Sequence, residues 1–287
     1  ILDWSLVGRL GKCEREQMVQ MLLGALRLDR AAIARAIRAL AISDVRETTL
    51  LDIVDKAAAD LAARGFQVRG ICCDVAREDE CETAIRTLIA HFGGIDILVN
   101  NAGITQRSAF VATKVSVYRQ VMDVNFFGAL HCTKVAMASL IERQGTIIVI
   151  ESLAAVAPLL GRTGYCASKH ALHGLFTSLR AELIGSGVHI MIVCPGFVKT
   201  NLQARALGAN GRVTRHPQST VGRQDSPARV ADAVYRAMLK RKKMLILSPV
   251  GKLTYWLSRV APGLYERMMA RQLKSELIRK SDPAAEL

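Results

Sequence analysis

Aromatic side chains are scarce, 5% of 287 residues, and neither a nucleic-acid-binding motif nor aromatics interleaved with basic residues accompanies the net charge of +14. No nucleic-acid partner is therefore expected. Acidic residues are also in the minority, 25 Asp and Glu against 39 Lys and Arg, and the imbalance is uneven: residues 240–287 carry eleven Lys/Arg and four Asp/Glu, half of the whole excess. Such a basic terminus suits an anionic membrane surface or a solvated, solubilising face. Cysteine occurs seven times (Cys13, Cys72, Cys73, Cys81, Cys132, Cys166, Cys194), an odd set without metal-type spacing. Neither a disulfide framework nor a metal site is expected, and a reducing, cytoplasmic setting is. Long apolar runs are missing too. The most apolar stretch, TIIVIESLAAVAPLLG, is broken by Glu151 and Pro158, so no membrane-spanning helix is expected. The opening residues show no signal-peptide pattern.

What is present is enough apolar material, 51% of residues, for one large α/β domain with a covered sheet. Apolar runs of strand type recur at 18–23, 48–53, 67–75, 95–103, 145–152, 189–196 and 244–249. Helical segments lie between them, for example DKAAADLAARG, stopped by Gly65, and DECETAIRTLIAHFGG, with Ile85, Leu88, Ile89 and Phe92 at helical spacing. Strands apolar throughout and alternating with helices predict a parallel, doubly wound sheet. Residues 1–243 read as a dinucleotide-binding catalytic domain, and 244–287 as its last strand and a basic amphipathic extension. Ligands of such sheets lie at the carboxyl ends of strands, which singles out Asp52, Asp74, Asn101, Ala102, Gly103, Ser152, Pro195 and Gly196.

YCASK places Tyr165 and Lys169 four residues apart, hence on one helix face. A cation there favours phenolate and predicts a tyrosine pKa drawn down toward working pH, as a general acid or base requires. Ser152 ends a strand thirteen residues earlier, Asn125 sits in VNFFG, and NNAG closes another strand. With these motifs in order over residues 48–235, the sequence resembles the short-chain dehydrogenase/reductase family. The resemblance implies a Rossmann-type fold and a catalytic set of Asn125, Ser152, Tyr165 and Lys169. Tyr165 would be the general acid/base on the substrate oxygen and Ser152 would orient that oxygen. Lys169 would lower the Tyr165 pKa and bind the nicotinamide ribose, and Asn125 would hold a water linking Lys169 to solvent. A ketone or aldehyde and an alcohol would be interconverted with NAD(H), NADP being the alternative.

The resemblance also implies cofactor contacts. Asp74 and Val75 would meet adenine, and Asn101, Ala102 and Gly103 would line the adenosine ribose. Pro195, Gly196, Val198 and Thr200 would pack on the nicotinamide. Asp52 would accept from the ribose hydroxyls and repel a 2′-phosphate, which favours NAD. The phosphate loop departs from the family's Gly-x-x-x-Gly-x-Gly. In LLGALRLDRAAIARAI, Gly24 matches the first glycine while Leu28 and Arg30 fall on the other two, and 28 residues separate Gly24 from Asp52, more than the family pattern has. Three readings stand: a loop in which Arg30 meets phosphate, a member that binds cofactor poorly, or a disrupted segment. The second would make the chain a cofactor-poor binding or scaffold protein rather than an enzyme.

Residues 201–226 read as a substrate lid, His170 and His173 as helix-surface or interface residues, and Cys166 as a small packing residue. The tail carries Leu253, Trp256, Leu257, Val260, Leu264 and Met268 at roughly helical spacing, with Pro262 and Gly263 parting two helices. It suits a peripheral membrane foot, a hydrophobic substrate rim, or packing against the domain or a second subunit. A small, hydrophobic carbonyl or alcohol substrate and a homodimer or homotetramer complete the expectation.

Overall fold

Four parallel strands in the order β1-β2-β3-β4 form the sheet of the computed structural model. The structure describes residue 65 and residues 67–200, 202–214 and 224–277, with side chains to Gln272. The strands are β1 (Ile97–Asn100), β2 (Thr146–Ile150), β3 (His189–Cys194) and β4 (Met244–Ile246). Leu98 pairs with Ile147, Ile147 with Ile190, and Val193 with Leu245. Side chains alternate between the two faces. On one face Leu98, Ile147, Val149, Ile190 and Ile192 share a core with three helices: α1 (Glu78–Phe92), α3 (Gly128–Glu142) and α4 (Thr163–Glu182). On the other, Ile148, Met191 and Val193 pack on Ala237 of α5 (Pro227–Leu239). Burial on both faces is why these strands read as continuous apolar runs, and it confirms the doubly wound α/β reading.

Local sequence explains the helix ends. Helix α1 opens with Glu78, Asp79 and Glu80, which suit the positive end of the helix dipole, and closes on Gly93 in the left-handed region. Its buried stripe, Cys81, Ala84, Ile85 and Leu88, has helical period. Ser226 and Ser248 cap α5 and α6 (Pro249–Val260), each accepting a hydrogen bond from a backbone N–H and each followed by proline at the first turn. Helix α7 (Pro262–Leu277) follows after Ala261, so the tail is two helices parted where Pro262 stands.

Two features differ from expectation. The run 67–75 forms no ladder among the described residues; a ladder needs a neighbouring strand, and the runs expected at 18–23 and 48–53 lie outside them. The segment around Asn125 is not plain helix. Helix α2 (Val115–Met122) passes through a π-helical turn, Asp123–Phe127, directly into α3. The continuous helical run Val115–Glu142 has the length and hydropathy of a membrane span, yet half of its most apolar window is buried inside the protein. At its core-facing side Gly128 packs tightly, because a Cβ there would stand 2.5 Å from Val75 Cγ2 and force a shift.

Candidate active site

The end of β2, the first turns of α4 and the end of β3 meet around one cavity. Ser152 follows β2 in extended conformation and its Oγ accepts from Ala154 N–H, capping a short 3-10 turn over Leu153–Ala155. Tyr165, in the first turn of α4, is buried and lines the same cavity as Ser152. One turn on, the buried Lys169 donates through Nζ to the Ile150 carbonyl at 2.9 Å and lies 5.9 Å from the Tyr165 ring centroid.

Asn125 lies behind this trio in the π-helical turn and is fully buried. Its Oδ1 accepts from Ile104 N–H at 2.8 Å, and its Nδ2 donates to Ile104 O at 2.9 Å and Ser168 Oγ at 2.8 Å. The amide thus clamps the segment after β1 to α4. The Asn125 side-chain amide is committed to the Ile104 backbone and the Ser168 hydroxyl. Gly103 is pinched between this amide and the ammonium, and an added Cβ would lie 3.3 Å from Asn125 Oδ1 and 3.6 Å from Lys169 Nζ.

The electrostatics correct one expectation. Burial pushes the Tyr165 phenol up to about 12, and what pulls it back is the Ser152 hydrogen bond and the Arg162 charge. The phenol is therefore raised rather than lowered, because loss of hydration outweighs the nearby cations. Burial likewise brings Lys169 down to about 8, opposed chiefly by the negative charge of Glu151.

Of the expected residues, Asn101, Gly103, Ser152, Tyr165, Lys169, Pro195, Gly196, Val198 and Thr200 line a single cavity of about 200 Å³. Ala102 packs on the core instead. The Val75 side chain is enclosed in the core. Asp74 Oδ1 accepts from Ala76 N–H at 2.9 Å, in the turn leading into α1 and away from the cavity. Gly24, Leu28, Arg30 and Asp52 lie outside the described residues.

The cavity also has walls that went unread: Glu151, Arg162, Phe197, Leu202, Gln203 and Val230. The rule that picked Ser152, a polar residue at a strand's carboxyl end, applies equally to Glu151, which interrupts the apolar run. Leu202 and Gln203 belong to the segment read as a lid. Among the described residues no group of three or more His, Cys, Asp or Glu is placed to hold a metal ion.

A parallel sheet with a buried tyrosine and lysine and a half-buried serine at its carboxyl edge defines a class, the Rossmann-fold oxidoreductases, and comparison with known proteins narrows it. The sequence pattern "short chain dehydrogenase" matches residues 32–209. "Dehydrogenase/reductase SDR family member 7B" of Bos taurus is 34% identical over 236 residues, 80% of this chain and 73% of that protein. Its Mus musculus counterpart is 35% identical, but the match spans 65% of that protein's length. A short-chain dehydrogenase from Streptomyces avermitilis superposes with a TM-score of 0.63 at 26% identity, over 76% of this chain and 85% of its own. Two Burkholderia structures share the fold: one from B. phymatum in complex with NAD (TM-score 0.64, 21% identity, 74% and 82% coverage) and one from B. cenocepacia with NADP (0.59, 20%, 69% and 77%). The chain belongs to the short-chain dehydrogenase/reductase family, a family of oxidoreductases.

Proposed function

We propose that this chain interconverts a hydrophobic ketone or aldehyde and its alcohol with a nicotinamide dinucleotide, Tyr165 exchanging the proton. The observation that carries the reading is the convergence of Ser152, Tyr165 and Lys169 on one cavity, Lys169 standing one helical turn from the tyrosine. Lys169, Pro195, Gly196, Val198 and Thr200 would hold the nicotinamide half and Asn101 and Gly103 the adenosine ribose, and the side-chain-free surface of Gly103 beside Lys169 Nζ suits close approach of a ligand. A volume of about 200 Å³ accommodates the reacting end of such a molecule rather than the whole of it. When bound, the dinucleotide supplies or takes the hydride.

The chain's own residues handle position and proton. Ser152 and Tyr165 converge on the substrate oxygen, and Tyr165, protonated across the neutral range, gives that oxygen its proton in the reductive direction. Lys169 stands beside the phenol as the cation that stabilises the phenolate left behind. Leu153, Leu159, Phe197, Leu202 and Val230 in the wall support an apolar substrate. Asp52, by its place in the sequence, supports NAD over NADP.

The test is a titration of the full chain with NADH and then NADPH, followed by nicotinamide fluorescence, and a carbonyl screen with Tyr165→Phe as control. The expected result is NADH binding stronger than NADPH, and turnover that falls by roughly 10²-fold or more in Tyr165→Phe. No binding of either cofactor would replace this reading with the cofactor-poor scaffold that the altered loop at Gly24, Leu28 and Arg30 supports.

A second element of the proposal is peripheral membrane contact at the cytoplasmic side of a bilayer. Leu253, Trp256, Val260, Leu264 and Met268 are exposed on α6 and α7, next to the basic residues Lys252, Arg259, Arg267 and Arg271. An apolar face with a basic fringe suits the interface of an anionic bilayer. Association as a homodimer or homotetramer is supported by the exposed Phe110, Val111, Val115 and Phe127 on the α2 side, and sedimentation analysis reads it directly.

A further inference from the structure

The residue before Ser152 has no part in the reading above. Glu151 follows β2 with its side chain wholly buried, although an unpaired carboxylate in an apolar interior is strongly disfavoured. Its Oε2 accepts from His173 Nδ1 at 3.1 Å and lies 3.9 Å from Cys194 Sγ, while Oε1 has no hydrogen-bond partner among the described residues. Glu151 lines the cavity shared by Ser152, Tyr165 and Lys169. Lys169 and His173, four residues apart on α4, occupy one helix face, and Lys169 is bonded to the carbonyl of Ile150, the neighbour of Glu151. His173 is therefore not a mere surface residue of α4; it secures a buried anion.

The other charged and titratable groups around this spot come from three elements. Helix α4 contributes Tyr165, Lys169, His173 and Arg180, on which the charge of Glu151 acts. Strand β3 contributes Cys194, and Arg259 of α6 acts on that thiol. Of the cations that Glu151 acts on, Lys169 is the one that shares its cavity.

We propose that Glu151, held by His173, is a positioning residue that keeps the Lys169 ammonium charged in the cavity and thereby sets the state in which Tyr165 works. The second half rests on the hydride-transfer reading; the first does not. Burial discharges Lys169 toward about 8 and the Glu151 charge opposes it, so replacing Glu151 by an uncharged residue of like volume lets the amine lose its proton more readily. The alkaline limb of a pH–rate profile then moves to lower pH.

The test is NMR titration of the full chain carrying 13Cε-labelled lysine, without cofactor, the Lys169 signal being identified by its loss in Lys169→Arg. In Glu151→Gln the Lys169 midpoint should fall by about one unit or more, a roughly tenfold rise in neutral amine below the midpoint. Glu151→Asp, which retains the charge, should restore most of it. A purely structural Glu151 would change stability and leave the midpoint in place, and that result overturns the proposal. If Glu151→Gln does not fold, Glu151→Ser removes the charge with less bulk and has to move the midpoint in the same direction. The pH profile of NADH-dependent turnover is read in parallel. A shifted midpoint in a protein that turns over nothing refutes the hydride-transfer reading and leaves the Glu151–Lys169 coupling intact. Ordinary turnover with an unshifted midpoint does the reverse.

Discussion

Lys169 is held at a cost to the fold. Its fall from 10.5 to about 8 corresponds to roughly 3 kcal/mol of differential interaction. The folded value is depressed, so the unfolded chain binds the proton more tightly between the two values. The stability linked to this group is therefore complete above the unfolded pKa and is lost as pH falls through about 8. Lys169→Met should then be more stable than the unaltered chain at pH 7, by up to roughly 3 kcal/mol. The difference should close as the pH is raised through the window between about 8 and 10.5. Denaturant midpoints of the two proteins across that range check it, and equal stability at neutral pH would mean the ammonium is not desolvated. A residue that weakens the fold while serving the site is a common trade.

At this scale the sequence was partly legible. Tyr165, Lys169 and Ser152 could be named because a four-residue spacing and a strand end are local facts. Glu151 could not be weighed, because its importance depends on His173 and Cys194, 22 and 43 residues away. The direction of the Tyr165 shift was misread for a similar reason, since burial is a property of the packed chain.

Among the elements, the π-helical turn at Asp123–Phe127 brings Asn125 inward, where it binds Ile104 and Ser168. One extra residue in a turn leaves almost no mark on hydrophobic periodicity, so the sequence predicted the helix and not its widening. The parallel strands were legible because burial on both faces makes them uniformly apolar. Just beyond the π turn, Gly128 sits against Val75. Gly128→Ala would force a methyl into that contact and should lower stability by about 1–3 kcal/mol. Adding Val75→Ala should recover part of the loss, and a double-mutant cycle by chemical denaturation measures it. Strict additivity of the two changes would mean that the chains do not touch there.

For the whole molecule, the proposed bilayer contact rests on the exposed apolar side chains of the tail. Trp256 is 63% exposed and Leu253 65%, and burying such side chains at a lipid interface contributes about 25 cal/mol per Å² of apolar area. Binding to anionic vesicles at low salt, with a blue shift of tryptophan emission, is the expected result, weakening as salt screens the basic fringe. Leu253→Asp with Trp256→Asp should abolish it, and binding that persists unchanged in this variant would place the contact elsewhere.

The same tail is fastened to the cavity wall. Tyr265 Oη donates to the Pro158 carbonyl at 2.9 Å, and Ser258 Oγ to the Val156 carbonyl at 3.3 Å. Leu159, the next residue in that stretch, lines the cavity, and the stretch itself joins Ser152 to Tyr165. A single strip of chain thus carries one wall residue of the cavity and the carbonyls that hold the tail. Free energy that passes between them passes equally in both directions: whatever bilayer contact does to the grip on substrate, substrate does to the grip on the bilayer. With the tail on a bilayer as proposed, the protein would register, in how firmly it clings, whether its cavity is full.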